Sequence, residues 1–243
     1  GQTTVIVIPS VDIKGGRCVR LVEGREDTET VFGDDPADWA MKWVRAGAKY
    51  LHVVDLDGAF QGAPRNLAKV KEIVQRAGVP VEFGGGVRDS DVVDALLAAG
   101  IARIIIGSSL VDRPEWAGSL LRIHPGKIAV GIDAVNGKVA IHGWKKVTNI
   151  DAIGLARECE RLGATAVVYT DISRDGKMQG ANLAEMKAMA EAVSMPVIAS
   201  GGVTTIDDVK HLAEAGCHGA IIGRALYEGK IALAAAMEAA EGK

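Results

Sequence analysis

The sequence predicts an α/β fold, a (β/α)8 TIM barrel with a twofold internal half-barrel repeat, and three observations predict it. The first is length: 243 residues suit one such barrel, which runs to about 250 residues. The second is alternation: short apolar runs alternate with helical patterns at about 30 residues per unit, as eight βα units require. The third is self-similarity. Residues 83–110, FGGGVRDSDVVDALLAAGIARIIIGSSL, fall on residues 199–226 without a gap when shifted by the 116 positions that separate Gly85 from Gly201. Gly85, Gly86, Val87, Asp91, Val93, Leu96, Ala99, Gly100, Ile105, Ile106, Gly107 and Leu110 all meet an identical residue. Upstream, Gly47-Ala48 falls on Gly163-Ala164, Asp55 on Asp171, and Asn66-Leu67 on Asn182-Leu183. Repeats of shorter period read as solenoids or propellers. Here the period is near half the chain, so the expected organisation is one domain, 1–243, made of half-barrels at roughly 1–124 and 125–243.

Each element has its own warrant. Strands are expected at 4–11, 50–55, 80–83, 103–106, 127–132, 166–170, 196–199 and 219–222, mostly short Val/Ile/Ala runs that stop at glycine or aspartate, as buried parallel strands do. Helices are expected near 36–46, 67–77, 90–99, 114–123, 150–162, 183–192, 206–215 and 230–240. In the seventh, Val209, Leu212 and Ala213 recur at helix spacing. Gly47, Gly78, Gly100, Gly163 and Gly216 stand where helices should end, the position that favours left-handed backbone. Two strand-to-helix connections are long, 13–35 and 134–149, and loops of that length in a compact domain are functional or mobile. The second holds Asn136-Gly137, a hairpin turn signal between short alternating segments.

Composition narrows the function classes. Apolar residues make up 48% and aromatics 4%, which suits parallel strands covered by helices. A net charge of −3 gives no reason to expect nucleic acid or an acidic membrane surface as partner. Cys18, Cys159 and Cys217 are scattered and odd in number, without CxxC or HExxH spacing, so neither disulfides nor a metal site is expected. Buried thiols in a reducing cytoplasm fit better. No secretory signal or long apolar run is visible, and the leading Gly1 carries no weight.

The chemistry-bearing residues gather where the eight strands end. Gly201-Gly202 and Gly223-Arg224 follow the last two strands, and Gly85-Gly86 and Gly107-Ser108 follow their counterparts in the first half. Paired glycines after a strand admit an anion close to backbone N–H groups, and such barrels hold phosphate after strands 7 and 8. Plain tight turns use the same residues, and both readings stand at this point. Two cradles across one mouth suit a long small-molecule bisphosphate. A flavin phosphate would use one cradle, and no strand end offers an inward lysine for pyridoxal chemistry, so no cofactor is expected. Asp12 and Asp133 close strands 1 and 5, which face each other in an eight-stranded barrel, so the two carboxyls are candidate general base and acid on opposite sides of a ligand. A donor among them needs a raised pKa. The alternative is that they cap helices or pair with rim cations. Strand alternation sends Thr170 and Asp171 to opposite faces; Thr170 is assigned inward, as a hydrogen-bonding group, and Asp171 to a structural role. Asp175, in Ser173-Arg174-Asp175-Gly176, is a further candidate acid.

The stretches IPSVDIKGGRCVRLVEG, TVFGDDP, HVVDLDGAFQG, EFGGGVR, GIDA, IHGWKKVT, YTDISRDGKMQGAN and ASGGV closely resemble the HisA family, the phosphoribosylformimino-5-aminoimidazole carboxamide ribotide (ProFAR) isomerases of histidine biosynthesis. The resemblance spans essentially the whole chain in order. It implies an aldose–ketose isomerase that performs an Amadori rearrangement on a substrate with two phosphates, without metal or organic cofactor. Asp12 matches the base that takes the ribose C2′ proton. Asp133 matches the usual proton donor, Asp175 a loop acid also proposed as donor, and Thr170 a residue that positions the ring. Trp144 matches a tryptophan that stacks on substrate, although a tryptophan plugging a loop core reads the same way. Gly180, in the last of the long stretches, joins the glycines of both cradles as a substrate-binding position. A cytoplasmic monomer is expected. Of the rivals, the sister cyclase HisF has Cys-Leu-Asp at strand 1 and Ser after the strand-6 Thr, where this chain has Ser10-Val11-Asp12 and Thr170-Asp171. The bifunctional isomerases have Arg before Gly-Trp, where this chain has His142, so weak or absent phosphoribosylanthranilate activity is expected. A sugar-bisphosphate binding module without catalysis is the rival of another class, and Asp12→Asn separates it from an enzyme.

Overall fold

Residues 4–242 are described by the structure, a computed structural model; Gly1 lies outside them. Among the described residues the strands are β1 Ile6–Lys14, β2 Arg17–Val22, β3 Arg25–Gly33, β4 Leu51–Asp55, β5 Val81–Gly84, β6 Arg103–Ile106, β7 Ile128–Val135, β8 Lys138–Ile141, β9 Lys146–Asp151, β10 Val167–Asp171, β11 Val197–Ser200 and β12 Gly219–Ile222. Eight of them close the barrel. β1, β4, β5, β6, β7, β10, β11 and β12 pair in that order, each parallel to the next, and β12 pairs back onto β1. β1 and β7 are therefore four steps apart in either direction, on opposite walls.

Helices pack outside because their apolar residues fall on one stripe. Pro36–Arg45 buries Ala37, Ala40, Met41 and Trp43, Leu67–Ala77 buries Val70, Ile73 and Ala77, and Ile206–Glu214 buries Val209, Leu212 and Ala213. Their buried faces and the outward faces of the strands, with Leu51, Phe83, Ile104 and Tyr169 fully buried, form the main core. The five expected glycines do end helices, with φ from +67° at Gly78 to +108° at Gly163. A second, smaller cluster of Ile8, Ile105, Ala129, Ala166, Val168, Ile198 and Ile221 fills the barrel interior. Shifting by 116 positions carries β4 onto β10, β5 onto β11 and β6 onto β12, and carries helix Ser90–Ala98 onto Ile206–Glu214.

Most expected bounds hold to within a residue, and the larger departures after β1 and β7 come from two hairpins. β1 starts at Ile6 and continues past Val11, because Asp12, Ile13 and Lys14 pair antiparallel with Val19, Cys18 and Arg17. The segment expected as the loop 13–35 is thus a hairpin, β2–β3, whose second strand, REDTETVFG, is too polar and exposed to read as a strand. On the opposite wall β7 runs on to Val135. Asn136 (φ +51°) and Gly137 (φ +76°) then turn the chain into β8, as the Asn-Gly signal requires. β9 occupies 146–151, so the following helix starts at Ala152 rather than at 150, with Asp151 accepting from Gly154 N at 2.8 Å. The last helix starts at Leu233 rather than at 230. Both long hairpins stand at the C-terminal mouth.

Candidate active site

A cavity of about 410 Å³ opens at that mouth and is lined by Ser10, Asp12, Arg20, His52, Asp133, Trp144, Thr170 and Asp175, with glycines 85, 86, 107, 201, 202 and 223 and the side chains of Ser108 and Arg224. Strand geometry decides which residues reach it. Thr170 lines the cavity, and Asp171, next on β10, faces away, where its carboxylate accepts from Ser173 N at 2.9 Å, Ser173 Oγ at 2.6 Å and Asn182 Nδ2 at 2.5 Å. Its repeat partner Asp55 does the same in the first half, accepting from Gly58, Arg65 and Asn66 backbone N–H groups and from Asn66 Nδ2. Both are caps that tie each strand end to the loop after it.

Asp12 sits on β1 with its Oδ2 accepting from Arg20 Nη1 at 2.6 Å and its Oδ1 from Ser10 Oγ at 2.9 Å. Arg20 comes from β2, within the segment 13–35 expected as a loop, and is buried. Its other terminal nitrogen, Nη2, lies 3.8 Å from Asp175 Oδ1. One guanidinium thus stands between two of the three candidate carboxyls. Arg20 went unpredicted, although the β-alternation of Val19, Arg20 and Leu21 next to an Asp-bearing strand is the signal that would have found it. Burial pushes the Asp175 carboxyl up to about 6; the Arg20 charge holds it down, and the Asp12 and Asp133 charges push it further up.

Asp133, on the opposite wall, accepts from Trp144 Nε1 at 2.5 Å and is also hydrogen-bonded to Thr170. Its depth in the cavity raises its pKa, against the pull of those two hydrogen bonds. Trp144 has φ +69°, unusual for an aromatic residue. Its ring packs so tightly on Gly24 of the β2–β3 turn that a Cβ there would overlap it. It therefore links the two hairpins and Asp133, rather than simply plugging a loop core. Beside it His142, also at positive φ, donates its backbone N–H to Ser108 Oγ at 2.8 Å and holds Asp112 Oδ2 at 2.6 Å through Nε2. The Ser108 hydroxyl, assigned to anion binding, accepts that bond.

The cradles are crowded where the sequence expected them to be. A Cβ on Gly85 would meet the Asp55 carbonyl and one on Gly86 the Gly58 carbonyl; in the other half a Cβ on Gly201 would come 2.8 Å from Asp171 O, and one on Gly202 would strike Gly180 O. All four have φ between +75° and +120°, a region only glycine enters freely. Gly107 is different: a Cβ there meets nothing closer than 3.7 Å. Gly223 adjoins the Arg20 guanidinium, and Arg224 is tied to Glu228 at 2.8 Å and to Gly176 O at 3.1 Å. Gly180 closes on the second cradle through Gly202. The mouth thus joins three carboxyls to a glycine-lined recess in each half.

Residues 6–232 match the model of a family described as histidine biosynthesis protein. The chain is 52% identical over 241 residues to a protein of Thioalkalivibrio sulfidiphilus, covering 98% of this chain and 100% of that one. It is 49% identical over 236 residues to a protein of Geobacter sulfurreducens (96% and 97% covered) and 48% identical over 237 residues to one of Acetivibrio thermocellus (98% and 100%). All three relatives carry the name 1-(5-phosphoribosyl)-5-((5-phosphoribosylamino)methylideneamino)imidazole-4-carboxamide isomerase.

Proposed function

The chain belongs to the histidine biosynthesis protein family, and from that premise we propose that it is the aldose–ketose isomerase that converts ProFAR to its aminoketose by an Amadori rearrangement. The observation that carries this reading is the set of three carboxyls on facing walls of one cavity, between two glycine-lined recesses. Gly85-Gly86 with Gly107-Ser108 take one terminal phosphate; Gly201-Gly202 with Gly180 and Gly223-Arg224 take the other. Grip at both ends supplies the binding energy that holds the ribose between the carboxyls.

The chemistry needs a proton donor and a base. A donor protonates the ribose ring oxygen, the C1′–O bond breaks, and C1′ becomes an imine carbon bonded to the amine nitrogen. A base then removes the C2′ proton, giving an enolamine whose C2′ hydroxyl gives up its proton as C1′ takes one up, leaving the C2′ ketone. Asp12 is the base: Arg20 and Ser10 fix its orientation, and each carboxylate oxygen keeps a free lone pair for the incoming proton. Asp175 and Asp133 are the two candidate donors. A value of about 6 and the absence of a direct N–H bond closer than the 3.8 Å contact to Arg20 favour Asp175; Asp133 then orients Trp144 and Thr170 around the sugar. Trp144, which lines the cavity, covers the substrate on this reading.

The protein acts on a small bisphosphate, as a cytoplasmic monomer on this reading. No helix among the described residues is long and apolar enough to cross a membrane. Steady-state turnover of ProFAR, run beside phosphoribosylanthranilate, tests the proposal. Turnover of ProFAR with little or none of the second substrate supports it; inactivity on ProFAR overturns it.

A further inference from the structure

The repeat exposes an asymmetry inside the barrel. In the first half Tyr50, His52, Glu82 and Arg103 stand where the second half has Ala166, Val168, Ile198 and Gly219, each pair related by the 116-residue shift. The register is the same in both: His52 pairs with Glu82 and Glu82 with Arg103, as Val168 pairs with Ile198 and Ile198 with Gly219. The second-half set is an apolar plug, in which Gly219 leaves room for Ile198, whose Cδ1 would lie 2.8 Å from any added Cβ. The first-half set is a buried ionic chain. Glu82 is fully buried; one oxygen meets His52 Nδ1 at 2.9 Å, the other accepts from Arg103 Nε at 2.6 Å, and the Arg103 guanidinium stacks on Tyr50 at 4.9 Å. The scaffold therefore fills these positions with hydrocarbon in one half, and buried ion pairs add little or nothing over such packing. Stability does not explain the ionic version.

Its place explains it better. His52 lines the cavity and Glu82 does not. Glu82 is held ionised against its burial by His52 and Arg103, so a carboxylate faces Nδ1 and Nε2 is the ring nitrogen left on the cavity side. The other groups near that ring are Ser10, paired with His52 from β1, and the carboxyls of Asp133 and Asp175.

We propose that Glu82, clamped by Arg103, is a positioning residue for proton transfer: it fixes the His52 ring so that Nε2 faces the cavity beside the candidate proton donors. The inference rests on the isomerase reading above and adds to it a second layer of side chains that the carboxyls depend on.

The test is Glu82→Gln in the full chain, which keeps the shape and removes the charge. The expected result is a fall in kcat for ProFAR of roughly ten- to a hundredfold, the range that losing a histidine-orienting partner produces elsewhere, with KM within about twofold because Glu82 touches no substrate. The pH profile of kcat/KM changes as Glu82 no longer holds the His52 ring, and the Nδ1-protonated signature of His52 in ¹⁵N NMR disappears. Unchanged kcat and pH profile would overturn the proposal, as would a lowered melting temperature with both intact. A second variant copies the other half, with Tyr50→Ala, His52→Val, Glu82→Ile and Arg103→Gly together. It is expected to fold and to lose turnover; full activity, or failure to fold, would overturn the proposal. If the wild-type chain shows the Nδ1 signature yet is inactive on ProFAR, the isomerase reading fails and takes this inference with it; if the wild type is active and Glu82→Gln is unaffected, only this inference fails.

Discussion

Replacing Asp175 by Asn should stabilise the protein while disabling it. The native fold moves this carboxyl from an ordinary value of 3.8 to about 6, chiefly by burial. A carboxyl whose folded pKa lies above its unfolded one holds its proton more tightly in the native state. Its favourable contribution is complete below pH 4 and is lost as pH rises through about 6. Moving from 3.8 to about 6 at 1.36 kcal/mol per pH unit gives roughly 3 kcal/mol lost by pH 8. Asn carries no charge to bury, so Asp175→Asn should be up to about 3 kcal/mol more stable than wild type at pH 8 and nearly equal to it at pH 4. Urea unfolding of both proteins at the two pH values measures the difference. Turnover of ProFAR should fall by at least about a hundredfold, the usual weight of a positioned general acid. A stability difference that does not change with pH, or a variant less stable at pH 8, would refute the assignment of Asp175 as a carboxyl strained by burial.

Other perturbations probe the remaining parts. Asp12→Asn should cut kcat by about a hundred- to ten-thousandfold with ProFAR binding retained, read by stopped-flow and by calorimetry on the same preparation. Gly202→Ala places a Cβ against Gly180 O and 2.9 Å from Arg174 O at φ +82°, so KM should rise by tenfold or more. Gly78→Ala, at φ +67° with open space around it, should cost only the conformational term of about 1–2 kcal/mol in stability and leave KM alone. Asp55→Ala strands four donors and should lower unfolding free energy by on the order of 3 kcal/mol in chemical denaturation.

The barrel was legible because its signals are local and repeated. Glycine after a strand, glycine after a helix and an aspartate at a strand end each mark a backbone requirement that the fold then meets. Thr170 and Asp171 could be sent to opposite faces by alternation alone. The first hairpin was less legible, since β3 is held by pairing to β2 and carries too many charges for its pattern to announce a strand. Arg20 was lost with it. The His52, Glu82 and Arg103 chain was missed for another reason: each residue sits alone in a different strand, and only closing the sheet brings the three side by side. A comparison of the two halves at those positions would have found it, because three apolar-or-small residues in one repeat unit face three ionisable ones in the other. Ser108 lines the cavity as expected, and its hydroxyl also accepts from His142 N in the β7–β8 hairpin while keeping its own proton to donate.

A crystal structure of the chain with its aminoketose product bound tests the central claim most directly. The account expects one terminal phosphate against Gly85 and Gly86, the other against Gly201 and Gly202, and an Asp12 oxygen within hydrogen-bond distance of the C2′ region of the opened sugar. A product anchored by one phosphate only, or with its sugar carbons away from Asp12, would contradict it.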